Sequence, residues 1–409
     1  MKILIVTQYF WPENFLINSL TVGLVERGHS VTVLTGSPNY PHGKFFKGYG
    51  YVNRSQNYHG AKILRVPLLP RGKGGGLRLI INYLSFALSA SIAGPLLCKE
   101  KYELIFVFEP SPITVGIPAL ILKTLKSAPV LFWVQDLWPE SLSATGAIKS
   151  KILLSFIGQL VRFIYSRCDR ILIQSRSFLN SVVQQGGISD RVLYFPNSAE
   201  GVFRTTVPVT NNMSPPEGFR IMFAGNIGSA QDFGTIIKTA KLLQEYKDIH
   251  WIIVGDGRMR EWAETEVRNL RLTNNFHFLG RHPVESMPSF FLMADTLLVT
   301  LKKEPIFALT IPSKIQSYLA CGKPIIAAID GEGAHIVEEA GAGFTCPAED
   351  PDLFAQTILK MYKTPKTERE IMGLNGKIYY ENNFDRDMLL DRLVQWMNDL
   401  VATNKIEVS

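Results

Sequence analysis

The 409-residue sequence contains only four cysteines, and none of them belongs to a Cys-x-x-Cys pair. Such scattered cysteines suit neither a disulfide framework nor a zinc cage, and they favour a reducing compartment. The seven histidines also lack the spacing of metal ligands. The apolar run at the start of the chain, Lys2–Val6, is too short for the hydrophobic region of a signal peptide. We therefore expect a cytoplasmic domain that begins with a buried strand.

Charge is also scarce, since charged residues make up 19% of the sequence and hydrophobic residues 46%. This is a globular composition, and the length suits two α/β domains better than one core. The net charge of +7 would attract phosphate-rich ligands, nucleic acid or an anionic membrane. We expect no nucleic-acid partner, because the basic residues form no stripe interleaved with aromatic residues.

Short apolar runs rich in β-branched residues alternate with helical stretches, which predicts parallel sheets covered by helices on both faces. The runs are 2–8, 31–36, 63–68, 104–109, 130–135, 170–175 and 192–197 in the first half, and 219–225, 250–256, 276–280, 296–301 and 324–329 in the second.

A polar stretch rich in proline and asparagine separates the two halves. The sequence thus predicts a Rossmann-like domain over 1–205, a linker over 206–218 and a second Rossmann-like domain over 219–376, each of the doubly wound α/β class. A final helix, about 377–409, must pack somewhere, and one place for it is the first domain.

Two segments have the composition of a membrane contact. Residues 79–98 contain no charged side chain and are long enough to cross a bilayer, but a crossing would separate strands of one sheet, so we exclude a span. The segment is then either a buried or interdomain helix or a monotopic surface that dips into lipid. Residues 149–170 place apolar residues at helical spacing beside five basic ones. Each segment also fits an ordinary docked helix, and together they favour attachment to an anionic membrane.

In an open parallel sheet, ligands bind where the strands end. The first strand is followed by aromatic and polar residues, which include Trp11, Glu13 and Asn14, rather than by a glycine-rich dinucleotide loop. This disfavours a hydride-transferring enzyme.

The fifth strand is followed by two carboxylates and an aromatic side chain, Asp136, Glu140 and Trp138. Aromatic faces and carboxylates suit a sugar, although Asp136 or Glu140 would equally cap the next helix. We take Trp11, Glu13, Asn14 and Trp138 as candidate acceptor-binding residues.

In the second half, Gly225, Asn226 and Gly228 follow a strand and precede a helix, so their backbone N–H groups suit a phosphate. Arg281 or Lys314 would neutralise a diphosphate, although either fits a solvated surface charge.

Several motifs along nearly the whole chain resemble one family. They are Gly28-His29-Ser30-Val31-Thr32-Val33-Leu34-Thr35-Gly36, Pro38-Asn39-Tyr40-Pro41, Trp138-Pro139-Glu140, Pro196-Asn197-Ser198-Ala199-Glu200, Gly225-Asn226-Ile227-Gly228 and the stretch 312–327. The sequence resembles the retaining GT-B glycosyltransferases of family 4, especially the bacterial polysaccharide subgroup (O-antigen, capsule and colanic acid) that includes fucosamine (L-N-acetylfucosamine) transferases.

The resemblance implies a GT-B fold, in which two Rossmann-like domains face each other across a cleft. It implies a hexosyltransferase in which the second domain holds the nucleotide sugar and the first holds the acceptor, without an obligatory metal or cofactor. Gly225, Asn226 and Gly228 would lie beside the donor phosphates, with Ser313 and Lys314 along the same wall.

Uridine diphosphate (UDP) is the commonest donor nucleotide of such relatives, and we expect it to carry an N-acetylated deoxyhexosamine. The expected acceptor is an undecaprenyl-diphosphate-linked saccharide at the inner face of the cell membrane.

The departures from the family concern its catalytic carboxylates. Many members carry two glutamates eight positions apart, the second of them five residues before the helix-ending glycine. Counting back from Gly322 places Ser317 and Leu309 at these positions. The ribose-binding role would pass to Ser317 or Gln316. Gln231, like Asn226, stands near a position where the family commonly has a basic residue.

For the reaction, we expect the loop 225–229, with Arg281 or Lys314, to neutralise the leaving diphosphate. Asp136 or Glu140 would orient the acceptor or shield positive charge during front-face attack. Two alternatives remain: a sugar-nucleotide epimerase of the same architecture, and a non-catalytic nucleotide-sugar-binding protein.

Overall fold

A computed structural model describes residues 1–51, 55–72, 76–144, 148–204 and 215–408, and it divides into two compact units. The first unit comprises Met1–Pro196 and Asp387–Ser409, and the second comprises Asn197–Arg386. The division falls ahead of the predicted boundary at 205, because Ala199 and Phe203 pack into the apolar core of the second unit. Most of the predicted linker, 206–214, lies outside the described residues.

The first unit is built on an eight-stranded sheet with the strand order β3-β4-β2-β1-β5-β6-β7-β8. Its strands are β1 Lys2–Val6, β2 Ser30–Gly36, β3 Ser55–Tyr58, β4 Ala61–Val66, β5 Leu104–Glu109, β6 Val130–Val134, β7 Arg170–Ile173 and β8 Val192–Tyr194. All neighbouring pairs are parallel except β3 with β4. The seven predicted strands are confirmed. The sequence did not predict β3, because this short edge strand is polar and half exposed.

Helices cover both faces of this sheet. They are α1 Leu16–Glu26, α2 Gly76–Leu97, α3 Gly116–Lys126, α4 Glu140–Ala144, α5 Lys151–Tyr165, α6 Phe178–Gln184 and α15 Arg386–Val408. The final helix α15 inserts Leu389, Leu393 and Met397 into the core that also contains Ile3 and Ile5 of β1. It therefore belongs to the first unit.

The second unit contains a six-stranded, all-parallel sheet with the order β11-β10-β9-β12-β13-β14. The strands are β9 Phe219–Ala224, β10 Ile249–Val254, β11 Phe276–Gly280, β12 Thr296–Thr300, β13 Ile325–Ala328 and β14 Gly343–Cys346. The helices are α7 Phe233–Leu242, α8 Arg260–Asn269, α9 Met287–Met293, α10 Pro305–Leu309, α11 Ser313–Ala320, α12 Glu332–Glu339, α13 Pro351–Lys363 and α14 Lys366–Asn383. The five predicted strands are confirmed, whereas β14 is too short to show a periodic pattern.

The expected start of the final helix near 377 was wrong, because α14 runs through Gly376 to Asn383. A Cβ atom at Gly376 would lie 2.9 Å from Leu319 Cδ2, so the glycine permits α14 to approach α11 closely. The helix ends where Phe384 is buried in the core of the second unit. The chain then returns to the first unit as α15.

Leu393 tests the docking of α15, because its side chain is fully buried. Leu393→Ala should lower the free energy of unfolding of the first unit by about 2–5 kcal/mol, since it leaves a cavity in the core. Thr403→Ala, at an exposed position of the same helix, should change it by less than about 0.5 kcal/mol. Urea unfolding followed by circular dichroism measures both values. A loss as small as that of the control would contradict this packing.

Candidate functional site

The loop after β9, residues 225–229, is held against the neighbouring strand by backbone hydrogen bonds. Gly225 N donates to Val254 O, and Ile227 N donates to Asp256 O, each at 2.8 Å. Both acceptors lie at the carboxyl end of β10. The loop is thereby fixed at the edge of the sheet where ligands bind in open parallel sheets.

Three other N–H groups of this loop are available for a ligand. Within the residues that the structure describes, the N–H groups of Asn226, Gly228 and Ser229 have no hydrogen-bond acceptor. A Cβ atom at Gly228 would lie 2.5 Å from Asn226 Nδ2, so the loop is too tight there for a larger residue. Unpaired N–H groups in a tight turn at the end of a strand suit a phosphate.

Lys314, in the first turn of α11, lies directly against this loop. Its Cε would be 2.8 Å from a Cβ atom at Gly225, whose φ of +137° also favours glycine. Lys314 Nζ is 3.5 Å from the centre of the Phe223 ring, and it has no other partner among the described residues. Desolvation by burial lowers the pKa of Lys314 to about 7. A bound anion would favour the charged form and draw a proton onto this amine.

The remaining residues of α11 divide between two sides of the helix. Ser313 is exposed, and its carbonyl oxygen accepts a hydrogen bond from Ser317 Oγ at 3.2 Å. At 100° per residue, Ser317 lies on the side of Lys314, whereas Gln316 lies almost opposite. Gln316 is 1% exposed, and neither its Oε1 nor its Nε2 has a partner among the described residues. Of the two residues considered for the ribose, only Ser317 shares a side with Lys314.

Two other predicted donor residues lie at the same edge of the sheet. Arg281 is exposed just after β11. Strand β11 lies two strands from β9, which corresponds to a distance of about 10 Å across the sheet. Gln231 lies in the turn before α7, where its carbonyl oxygen accepts a hydrogen bond from Thr300 Oγ1 at 2.6 Å. Its Oε1 atom is buried without a partner among the described residues.

The segment around α11 lacks acidic residues over a long stretch. No aspartate or glutamate occurs between Glu304 and Asp330, a stretch that contains α10, α11 and both Leu309 and Ser317. Leu309 is the last residue of α10. No carboxylate of α10 or α11 therefore offsets the positive charge at Lys314.

In the first unit, Glu13 organises the loops at the carboxyl ends of β1 and β2. Its Oε1 atom accepts hydrogen bonds from Asn39 N and Tyr40 N, both at 2.7 Å, and its Oε2 atom accepts one from Phe10 N at 3.3 Å. Glu13 is 2% exposed, and desolvation raises its pKa to about 7 against the effect of these bonds and of Arg65. The predicted acceptor residue is thus buried and holds two loops together.

A row of aromatic side chains lines the same edge of the sheet. The Tyr9 and Tyr40 ring centres are 5.8 Å apart, and the Tyr9 hydroxyl interacts electrostatically with that of Tyr83 on α2. Tyr83 in turn packs on Trp138 at 6.1 Å. This row, Tyr40–Tyr9–Tyr83–Trp138, joins the ends of β2, β1 and β6 through α2. We call it the aromatic row.

Asp136 lies at the Trp138 end of the aromatic row. Trp138 Nε1 donates to Asp136 Oδ2 at 3.3 Å. Burial raises the pKa of Asp136, while the bonds from Ser141 and Trp138 oppose the rise. Glu140 begins α4, and its Oε2 atom is buried without a partner among the described residues. Asp136 and Glu140 therefore both remain candidates for contact with an acceptor.

The other predicted acceptor residues, Trp11 and Asn14, lie at the surface of the β1 loop. Trp11 is 36% exposed and packs on Tyr58 at 5.4 Å, and Asn14 is exposed. Their exposure leaves both free to contact a ligand.

Glu109 is a further carboxyl group, which the sequence reasoning missed. It ends β5 beside Asp136, is 0% exposed, and has no hydrogen-bond partner of normal geometry for either carboxyl oxygen among the described residues. Burial and the nearby Asp136 raise its pKa well above the ordinary value, although the amides of Gln135 and Asp136 oppose the shift. The buried Tyr165 hydroxyl lies within electrostatic range of Glu109. The sequence did contain an indication of Glu109, namely a charged residue at the end of an otherwise apolar strand.

From the raised pKa of Glu109 we expect a specific pH dependence of folding stability. The pKa of Glu109 is raised in the folded state, so the folded protein binds this proton more tightly than the unfolded chain does. The free energy of unfolding therefore falls as pH rises above 4.5, the ordinary pKa that the carboxyl group has in the unfolded chain. Glu109→Gln removes this loss, so its stability relative to wild type should increase with pH by up to about 1.4 kcal/mol per unit. Melting temperatures from pH 5 to 9 measure the difference. The exposed control Asp190→Asn should show no such trend, and a pH-independent effect of Glu109→Gln would contradict the assignment.

Two family models match the chain. A glycosyl transferase 4-like domain matches residues 16–198, and a domain described as glycosyl transferases group 1 matches residues 211–378. Among similar sequences, the protein named "Probable glycosyltransferase WbjE" of Pseudomonas aeruginosa is 27% identical over 71% of this chain and 74% of its own length. WcaI of Escherichia coli, whose name places it provisionally among the glycosyl transferases of colanic acid biosynthesis, is 26% identical over 79% of this chain and 82% of its own length.

Solved structures of low sequence identity share the fold. The Anabaena protein Alr3699/HepE in complex with UDP has a TM-score of 0.69 at 15% identity, covering 98% of this chain and all of that one. A trehalose-6-phosphate enzyme of Escherichia coli, bound with UDP-2-fluoro glucose, has a TM-score of 0.70 at 11% identity and covers 98% of this chain and 99% of its own. The predicted fold class, GT-B with two Rossmann-like α/β units, is thereby confirmed. The chain is a glycosyltransferase that combines a glycosyl transferase 4-like domain with a group 1 glycosyl transferase domain.

Proposed function

We propose that this protein transfers a sugar from a UDP-sugar to a lipid-linked saccharide during bacterial surface polysaccharide synthesis. The observation that carries the proposal is the donor site of the second unit, where three free N–H groups lie beside the desolvated amine of Lys314. The sugar that we propose is an N-acetylated deoxyhexosamine such as N-acetylfucosamine, transferred with retention of configuration. The resemblance to family 4 supports the sugar and the stereochemistry.

The donor site suits a leaving diphosphate without help from a metal. As the bond to the sugar breaks, negative charge grows on the diphosphate, and fixed N–H dipoles with a protonated Lys314 stabilise it. An amine with a pKa of about 7 is partly neutral before the anion arrives and becomes charged beside it. The two structural neighbours are complexes with UDP and with UDP-2-fluoro glucose, which supports uridine diphosphate as the nucleotide.

The acceptor side of the proposal rests on the first unit. Tyr40 and Tyr83, the accessible rings of the aromatic row, offer faces for the apolar patches of a saccharide, whereas Tyr9 and Trp138 are buried. Asp136 at the end of the row can accept a hydrogen bond from the reacting hydroxyl. The name of WcaI, which refers to colanic acid biosynthesis, supports a polysaccharide as the product.

The lipid carrier is supported by an apolar surface on one layer of helices. Helix α2 is long and apolar enough to cross a membrane by length and composition, yet Asn82 on its inner side bonds to Gln8 Nε2 and Leu69 O. Its outer side carries exposed apolar residues, as do α3 and α5: Leu77, Ile81, Leu84, Leu88, Ile92, Leu96, Ile121, Leu125, Ile152, Leu153, Phe156 and Phe163. We call this the α2–α3–α5 face.

The charged residues of the three helices indicate which partner would bind the α2–α3–α5 face. The three helices contain no acidic residue and five basic ones, Arg78, Lys123, Lys126, Lys151 and Arg162. Helix α2 packs on α3, and α3 packs on α5, so the face is continuous. Exposed apolar side chains among cations suit the surface of an anionic bilayer. We therefore propose peripheral attachment to the inner face of the cell membrane.

Lys314 provides a test of the donor site. UDP should bind at least about tenfold more weakly at pH 9 than at pH 7, because at the higher pH the amine must first take up a proton. Lys314→Met should bind UDP weakly at both values, whereas Lys238→Met, at an exposed position of α7, should behave like wild type. Isothermal titration calorimetry measures these affinities. A Lys314→Met protein with the wild-type pH dependence would refute the role of Lys314.

Membrane attachment is tested by flotation with liposomes. The protein should float with anionic vesicles at low salt and be released at high salt, because ionic screening weakens the basic contribution. Leu84→Gln combined with Leu88→Gln should reduce binding, whereas Leu242→Gln, half exposed on the second unit, should not. Failure to bind anionic vesicles at low salt would rule out the proposed surface.

A transfer assay separates the proposed enzyme from the two alternatives. Labelled UDP-sugars are incubated with and without lipid-linked saccharides, and products are separated by chromatography. Transfer only in the presence of an acceptor supports the proposal. Conversion of the donor alone would identify an epimerase, and binding without turnover would identify a non-catalytic protein.

A further inference from the structure

Two arginines lie at the end of the aromatic row that is farthest from Asp136. Arg71 is partly buried, its backbone N–H donates to Asn39 Oδ1 at 3.0 Å, and its guanidinium carbon lies 4.9 Å from the centre of the Tyr40 ring. Asn39 and Tyr40 are the residues whose amides Glu13 binds. The buried carboxyl of Glu13 therefore places the ring on which Arg71 rests.

Arg78, in the first turns of α2, completes the pair. Its Cδ and Nη1 atoms would each lie 2.9 Å from a Cβ atom at Gly72, so this side chain runs along the backbone next to Arg71. Gly72 has a φ of +60°, and its N–H donates to Gly43 O at 3.0 Å. The turn thus holds the two arginines next to each other.

Neither guanidinium group is neutralised by a neighbouring carboxylate. Over the described ranges of the chain, Arg71 and Arg78 form no ion pair. Other arginines of the same unit do, since Arg27 pairs with Asp387 and Asp391. Two arginine side chains at one turn, one of them with its guanidinium group held over a ring, suit the two phosphoryl groups of a diphosphate, because each guanidinium group can donate two parallel hydrogen bonds.

We propose that Arg71 and Arg78 bind the diphosphate of the lipid carrier and thereby set the direction of the acceptor. The inference rests on the proposed function and deepens it. The carrier end lies where α2 begins, next to exposed Leu77, and the saccharide extends over the accessible rings of Tyr40 and Tyr83 toward Asp136. The apolar face then receives the hydrocarbon chain, and the sugar hydroxyl reaches the carboxylate end of the row.

An acidic sugar offers the same anionic chemistry, so the experiment compares three acceptors. The first is a saccharide on farnesyl diphosphate, the second is the same saccharide on an octyl group, and the third is an octyl glycoside that carries a uronic acid. Steady-state transfer is measured in detergent for wild type, Arg71→Ala, Arg71→Lys, Arg78→Ala and the double alanine variant. Arg191→Ala, an exposed arginine at the amino end of β8, is the matched control.

Arg71→Ala and Arg78→Ala should each raise KM for the diphosphate acceptor at least tenfold, and the double variant should raise it further. KM for the octyl acceptor and for the donor should stay unchanged, and Arg71→Lys should lie between wild type and alanine. Equal loss with all acceptors would show that the arginines only support the fold. A loss confined to the uronic acid would assign a carboxylate site, and unchanged kinetics would refute the inference.

A binding measurement separates this inference from the proposed function. Farnesyl diphosphate is titrated into wild type and Arg71→Ala by calorimetry with UDP at saturation, so that the donor loop is occupied. Weaker binding to the variant supports the subsite even if no acceptor is turned over. Equal binding to both proteins overturns the subsite even if transfer to a lipid-linked acceptor succeeds.

Discussion

In both units the central strands run in the same direction, because most connections between neighbouring strands pass through helices that cover the sheet. Parallel strands end at a common edge, so residues distant in sequence become neighbours there. Lys314 reaches the loop at Gly225 in this way, and Asp136 comes to lie beside Glu109. The candidate sites of both units depend on this one constraint of strand direction.

Burial then sets the charge of the groups at these edges. Desolvation lowers the pKa of Lys314 and raises that of Glu109, so both favour their neutral forms in the free protein. An arriving anion reverses the balance at Lys314. Glu109 has no such partner and remains a buried acid beside Asp136. The same physical effect thus favours a neutral amine at Lys314 in the second unit and a protonated carboxyl at Glu109 in the first.

In the first unit, the buried carboxyl group of Glu13 positions residues that lie farther out in the loops. Glu13 bonds to three backbone N–H groups and positions Tyr40, on which Arg71 rests. Four cis X–Pro bonds of the described chain lie at this same edge, at Pro12, Pro41, Pro112 and Pro139. The loops after β1 and β2 are thus fixed by hydrogen bonds to the buried carboxyl group of Glu13.

Periodicity and loop composition by themselves determined the two Rossmann-like units, twelve of their strands and the candidate loop at 225–229, since fully buried parallel strands leave continuous apolar runs. Local patterns also located the helix that follows Pro312. They could not show that α15 returns to the first unit, that Gln316 turns away from Lys314, or that Glu13 is buried. Only the tertiary structure decided these points, because burial, pKa and helix docking depend on contacts between segments distant in sequence.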